Sequence, residues 1–299
     1  MSNWGLPMSL QILNSDACIG AEATGVDLSV PMDAATFDAL EAAFIKRSVL
    51  CIRDQALTAD QYLAFARGLG RVDRVFLQHY AHPDQPDIML VSNIKEDGRD
   101  IGHADAGRVW HTDMSYTAHP PRATLLHALE TPVADGRSLG ATAFASAEAA
   151  FAGLDEATKA LILGQTAVHR VSGRRKRTGT GVGDNALRDK QPDVVHPVAR
   201  THPITGRTAI YVSEGECVSI SGMDDAMAEA LVTRLAAEIQ KLDYRYVHDW
   251  REGDVLIWDN AAVQHKATFD YTWPDHRRFH AVRSRCLSLI HISEPTRPY

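Results

Sequence analysis

Apolar residues recur along this chain in two rhythms, about 3.6 residues and 2 residues, and the changes of rhythm mark its elements. After Asp33, Phe37, Leu40, Ala43 and Phe44 keep helical spacing up to Arg47. Val49–Ile52 is an unbroken apolar run, the pattern of a buried strand. Thr58 then caps a second helix with the body Ala59–Ala66, and Gln61 stands at the capping-box position. Ile88–Val91 and Ala123–Leu129 read as core strands, and Ser138–Thr142 is expected to continue the sheet. Ser146 opens a helix to about Phe151, and Asp155–Leu163 reads as another. Gln11–Leu13, Ala21–Ala23, Ala209–Val212, Val247–Trp250 and Asp254–Trp258 read as further strands, the last two joined by the turn Glu252-Gly253. Asp224–Leu242 is a long helix with Met227, Leu231, Leu235 and Ile239 on one face. Many short strands with few flanking helices predict a mainly β fold of the double-sheet, jelly-roll type. No repeat and no linker divides it, so one domain is expected over 1–286, behind a loose leader at 1–9 in which Met8 is an alternative start.

Composition narrows the class. With 45% hydrophobic and 23% charged residues the chain is an ordinary globular protein. A net charge of -7 argues against a general nucleic-acid binder. No apolar run is long enough for a membrane span, and no basic stretch leads into an apolar one as in a signal peptide. Cys18, Cys51, Cys217 and Cys286 are scattered without a C-x-x-C, which reads as free thiols in a reducing cytoplasm. A homo-oligomer is left open.

Chemistry enters at Trp110-His111-Thr112-Asp113. In an extended strand residues i and i+2 share a face, so His111 and Asp113 would grip one metal ion from one side. Two ligands are too few for a catalytic site, and a third stands far downstream at His265, after Trp258-Asp259-Asn260. Two histidines and one carboxylate on one face of an octahedron leave the opposite face open, the ligand set of non-heme Fe(II) oxygenases. His127, His169, His196 and His202 lack such spacing and read as structural or surface residues; Trp110 and Tyr116 read as packing or pocket wall.

Around these residues the chain resembles the taurine / 2,4-dichlorophenoxyacetate dioxygenase family. The blocks that carry the resemblance are Ile19-Gly20-Ala21-Glu22 through Gly25-Val26-Asp27-Leu28, Val49–Gln55 with Leu57-Thr58, Trp110–Asp113 with Pro120-Pro121, and Gly253–Asn260 leading to His265; His196-Pro197-Val198 with Thr201-His202-Pro203 and Gly206 is also family-like. The resemblance implies a double-stranded β-helix and a dioxygenase that uses Fe(II), 2-oxoglutarate and O2 to hydroxylate a small organic substrate, releasing succinate and CO2. It implies His111, Asp113 and His265 as metal ligands, with no catalytic residue beyond the iron centre. The far carboxylate of 2-oxoglutarate then needs a guanidinium fork and a hydroxyl. The family places an Arg-Arg pair and, after three residues, another Arg; here four residues separate Arg278 from Arg283, so a bulge must be assumed. Arg278 and Arg283 are the expected pair, with Arg277 as substitute. Counting from Pro120-Pro121, Ser138 falls where the family has its hydroxyl, a Thr after a Gly-rich turn. Taurine-specific members hold the sulfonate with a His and a Tyr where this chain has Val75 and Gln78, with His79 out of register. A different small anion is therefore expected: another sulfonate, an alkyl sulfate or an aryloxyalkanoate. The alternative is a non-catalytic metal-binding or sensing module on the same fold, and a zinc hydrolase with the same ligands is a third reading.

Three segments stand apart. Lys95–Gly107 is polar and is expected to form a rim of the site, with His103 solvated. Residues 172–192 contain Arg174-Arg175-Lys176-Arg177 and a Gly-rich run, read as a solvated loop or a lid that attracts an anionic substrate. Residues 287–299 resemble the translation of a sequencing adapter and are expected to be a non-native tail.

Overall fold

The strand Val49–Ile52 is buried along its whole length, and the sheet around it explains why. The computed structural model of this chain describes residues 9–104, 106–171, 191–268, 270 and 280–287. Val49–Ile52 lies inside an eight-stranded sheet, in the order Gln11–Asn14, Ala21–Thr24, Val49–Ile52, Val255–Asp259, Ala123–Glu130, His280–Leu287 and Arg71–Val72, with Met89–Ser92 also paired to His280–Leu287. Among the described residues only Ala21–Thr24 and Val49–Ile52 run parallel. Successive side chains alternate faces. Leu50, Ile52, Leu125, Val255, Ile257 and Val282 turn towards the helices Ala34–Arg47 and Ala59–Leu69, where they meet Leu40, Phe44, Tyr62 and Leu63. Val49, Cys51, Leu126, Leu256, Trp258 and Ala281 turn the other way. There they meet Phe144, carried by a second sheet of Arg245–His248, Thr142–Ser146 and Val263–Ala267. A strand covered on both faces favours apolar residues at successive positions, hence the unbroken run at Val49–Ile52. A third core packs the helix Asp225–Ile239, through Leu231, Val232, Leu235 and Ile239, against Ile210, Val212 and Cys217.

The expected caps at Thr58, with Gln61 in a capping box, and at Ser146 form. Asp33, Asp155 and Asp224 also cap, each accepting a backbone N–H in the first turn of the helix that follows it. The differences lie at element ends. The last long helix stops at Ile239, not Leu242. The expected continuous strand Ser138–Thr142 is two pieces: Arg137–Ser138 folds back on Val133–Ala134, while Thr142–Ser146 joins the second sheet. Gly140 between them takes φ 73°, a conformation that ends a strand. The described pairings give a mainly β fold with few helices in which the sheets stay open. No helix among the described residues is long and apolar enough to cross a membrane. Of the segments set apart above, 172–190 and 288–299 lie outside the described residues. Lys95–Glu96 and Arg99–Asp100 form a small hairpin. His103 is not solvated but half-buried, edge-on to Tyr80 with ring centroids 5.2 Å apart.

Burial has a consequence for acid stability. It pushes the imidazoles of His127, His196 and His248 below their ordinary value and that of His169 to about 3. These rings stay neutral in the fold while the unfolded chain takes up protons below its ordinary value of 6.5. Their contribution is fully present above that pH and is lost as the pH falls towards the folded values. Thermal unfolding midpoints are expected to hold from pH 8 to 7 and then drop steadily towards pH 4.5. An unchanged midpoint between pH 7 and 5 would count against this.

Candidate metal centre

His111 and His265 are brought together by backbone pairing. They form an isolated antiparallel bridge, with His111 N–H donating to His265 O at 3.1 Å and His265 N–H to His111 O at 2.8 Å. Their rings lie 4.2 Å apart between centroids. His111 Nδ1 stands 2.8 Å from the Val109 carbonyl; a carbonyl only accepts, so Nδ1 carries the proton and Nε2 keeps its lone pair for a ligand.

Asp113 comes to the same point by a different route from the one its spacing suggests. His111 is the only paired residue of the expected strand, and the chain turns from Asp113 onwards, with Met114 at φ 53°. Asn260 and Thr124 hold this turn in place. Thr112 Oγ1 donates to the Asn260 carbonyl at 2.6 Å, and Asp113 N–H to Asn260 Oδ1 at 3.3 Å. Thr124 Oγ1 donates to Asp113 Oδ2 at 2.7 Å. Asp113 Oδ1 faces His111 Nε2 at 3.7 Å. One donor atom from each of His111, Asp113 and His265 lies within 4.8 Å of the others. Phe144 stacks on His265 at 5.9 Å, and Trp258 leans on it at 4.9 Å, so apolar rings wall one side. Two neutral imidazoles and a buried carboxylate suit a divalent ion such as Fe(II).

A second group, Cys51, His248 and Asp254, also converges but has a different character. Asp254 Oδ2 already receives Arg53 Nη1 at 2.6 Å, Arg251 N–H at 2.8 Å and His248 Nε2 at 3.1 Å. The guanidinium already occupies that carboxylate oxygen, and a second cation on the same buried oxygen would be repelled. This cluster is a charge network that ties the strand Val49–Ile52 to the start of Val255–Asp259.

The other expected site residues fare differently. Ser138 Oγ donates to the Trp250 carbonyl at 2.6 Å, so its proton is committed to that bond. Arg277 and Arg278 lie outside the described residues. The backbone of Arg283 pairs with Leu126 and Met89. Val75 is buried in the core beside Trp258, Gln78 bonds the Val75 carbonyl, and His79 packs on Tyr80 at 4.1 Å. Sequence reasoning did not single out Thr124, Thr142 or Arg285, which the fold brings near these groups. Arg285 is paired in register with Thr124, and its buried guanidinium lies against Met114 Sδ. Thr142 was legible in retrospect, as a Thr two residues after Gly140 and two before Phe144.

The sequence profile of the taurine catabolism dioxygenase TauD, TfdA family matches residues 11–285. The chain is 30% identical to an (S)-phenoxypropionate/alpha-ketoglutarate-dioxygenase of Delftia acidovorans, over 89% of this chain and 92% of that one. It is 31% identical to an alpha-ketoglutarate-dependent sulfate ester dioxygenase of Pseudomonas putida, over 85% and 82%. The crystal structure of a taurine dioxygenase from Burkholderia xenovorans superposes with a TM-score of 0.78 at 26% identity, over 94% of this chain and 90% of that one.

Proposed function

The chain belongs to the taurine catabolism dioxygenase TauD, TfdA family, and from that premise we propose that His111, Asp113 and His265 hold its iron. It is a 2-oxoglutarate-dependent non-heme iron dioxygenase. His111, Asp113 and His265 would hold Fe(II), which would supply the redox chemistry that couples oxidative decarboxylation of 2-oxoglutarate by O2, with release of succinate and CO2, to hydroxylation of a substrate C–H bond. The observation that carries the ligand assignment is the convergence of these three donors in a chain matched by the family over nearly its whole length.

The chain's own residues do the placing. His111 offers Nε2 because Val109 holds its other nitrogen. Phe144 and Trp258 keep water from one side of His265. Thr142 shares a strand face with Phe144, and its Oγ1 accepts from Trp250 Nε1 at 3.0 Å. Its own proton is then available for a carboxylate, which makes it a better hydroxyl for 2-oxoglutarate than Ser138. The far carboxylate takes an arginine from the segment after His265: Arg278 or Arg283 by the expected spacing, and Arg285 by its buried place beside Met114. The substrate is a small organic anion of the aryloxyalkanoate or alkyl sulfate class, as the names of the two relatives suggest. The two sheets that face each other through Phe144 and Trp258, 5.7 Å apart, are read as the halves of a double-stranded β-helix, in one domain over 1–286. The free thiols of Cys18, Cys51, Cys217 and Cys286 fit a cytoplasmic protein.

Anaerobic Fe(II) titration of the apoprotein, with and without 2-oxoglutarate, tests the site. A weak visible charge-transfer band that needs both components is expected. In air, succinate release should then rise with at least one aryloxyalkanoate or alkyl sulfate. No band, or a band that survives in His111→Ala, would overturn the ligand assignment; a band without stimulated succinate release by any such anion would overturn the substrate class.

A further inference from the structure

We propose that Asn260 and Thr124 form a closed hydrogen-bond ring that makes Asp113 present one oxygen, Oδ1, to the metal. The inference rests on the reading of His111, Asp113 and His265 as the ligands.

The ring has a fixed sense. Asn260 Oδ1 accepts the Asp113 backbone N–H at 3.3 Å, which leaves the Asn260 amide nitrogen as the donor to Thr124 Oγ1 at 2.9 Å. That bond occupies a lone pair of the Thr124 oxygen, and the hydroxyl proton goes to Asp113 Oδ2 at 2.7 Å, an atom that only accepts. Asp113 is therefore gripped at its backbone and at one carboxylate oxygen by the same chain of bonds, so rotation about its side chain breaks the ring. The oxygen turned towards His111 Nε2 is Oδ1.

Three separate parts of the fold supply the members. Thr124 is held by its register opposite Trp258 in the central sheet. Asn260 follows the end of that same strand and is anchored by its N–H to the Arg122 carbonyl at 2.9 Å. Asp113 lies in the turn after the bridge. Thr124, Asn260 and Asp113 are 0%, 1% and 3% exposed, and in so dry a place each bond in a connected ring strengthens its neighbours. A carboxylate pinned through Oδ2 cannot swing to chelate through both oxygens, which keeps a coordination position for cosubstrate or O2. Both residues are positioning residues: they act on the ion only through Asp113.

The test is Mn2+ affinity of the metal-free protein, read by the electron paramagnetic resonance of free Mn2+ under nitrogen. Thr124→Val, which keeps the shape and removes the hydroxyl, is expected to weaken Mn2+ binding roughly 10- to 100-fold, the usual size for a group that orients a ligand. Thr124→Ser should stay within about threefold of wild type on that scale, because it keeps the hydroxyl. Asn260→Ala should weaken binding in the same direction. The double variant should lose far less than the product of the two single losses, since both break one ring. Co2+ absorption supplies a signature that general loosening would not move: the visible bands of Thr124→Val should weaken per bound ion as Asp113 gains a second contact. Unchanged affinity in Thr124→Val, loss without rescue in Thr124→Ser, multiplicative losses in the double variant, or an unaltered Co2+ spectrum would each overturn the ring. Should Thr124→Val fail to fold, Asn260→Ala and Thr124→Ser decide alone. His111→Ala separates the two levels: if it binds Mn2+ like wild type, the ligand assignment fails, whereas loss there with unaffected Thr124 and Asn260 variants sinks only the ring.

Discussion

Asp113→Ala should abolish metal-dependent turnover while leaving the fold in place. Two imidazoles remain in that variant, held at their separation by the His111–His265 bridge, whose bonds are between backbone atoms and survive any change of side chain at Asp113. What disappears is the one anionic donor. An ion between two neutral imidazoles keeps its full charge in an apolar surrounding, which burial penalises. A loss of succinate formation on the order of a thousandfold or more is expected, about 4 kcal/mol in the barrier. Anaerobic Fe(II) titration should show no saturable uptake in the micromolar range. Circular dichroism should stay close to wild type, because the backbone bonds of the bridge and the sheets do not pass through the carboxylate, while the metal-free melting midpoint should fall modestly as Thr124 loses its buried acceptor. Turnover within tenfold of wild type would mean that another group supplies the anionic ligand.

The second large effect is on stability. Arg53→Met is expected to cost about 3–5 kcal/mol, the usual result of breaking a buried ion pair from one side. Arg53 Nη1 lies 2.6 Å from Asp254 Oδ2, and its Nη2 2.7 Å from Glu22 Oε2. Asp254 is fully buried. Burial works against its charge, and hydrogen bonds from His248, the Arg251 N–H and Arg53 outweigh it, holding the carboxyl below its ordinary value. Without the guanidinium that carboxylate stays in the core with its main counter-charge gone. Against a total of about 5–15 kcal/mol for an ordinary domain, such a loss is about a fifth of the whole or more. Chemical denaturation should show the midpoint shift, and Arg53→Met combined with Asp254→Asn should recover part of it by removing the stranded charge. A single-variant loss below about 1 kcal/mol would show that water or His248 already neutralises Asp254. The effect bears on the site because Asp254 starts the strand that ends at Asp259 and Asn260.

Much of this was open to reading along the chain, and particular residues show where reading ends. Thr58 with Gln61 and Ser146 announced their helices because a cap bonds a backbone group within the next turn. The runs at Val49–Ile52 and Val255–Trp258 announced buried strands because both faces of that sheet are covered. His111, Asp113 and His265 stood out by residue type, since few other arrangements use that combination. These signals are local or chemical, and the chain alone determined them. Where each residue stands was not local. The expected strand through Asp113 is a turn, because Asn260, 147 residues away, supplies the bonds that a strand partner would otherwise give. Counting from Pro120-Pro121 pointed to Ser138, and it could not see that Gly140 turns the chain so that Ser138 and Thr142 lie in different strand pairs. Cys51, His248 and Asp254 share the look of a metal site, and only the guanidinium of Arg53 among them shows otherwise. Residue type and local spacing decided what chemistry this protein carries. The tertiary structure alone decided which side-chain atoms converge and what holds them there, because backbone pairing and buried hydrogen bonds join segments whose separation along the chain sets no preference for their meeting.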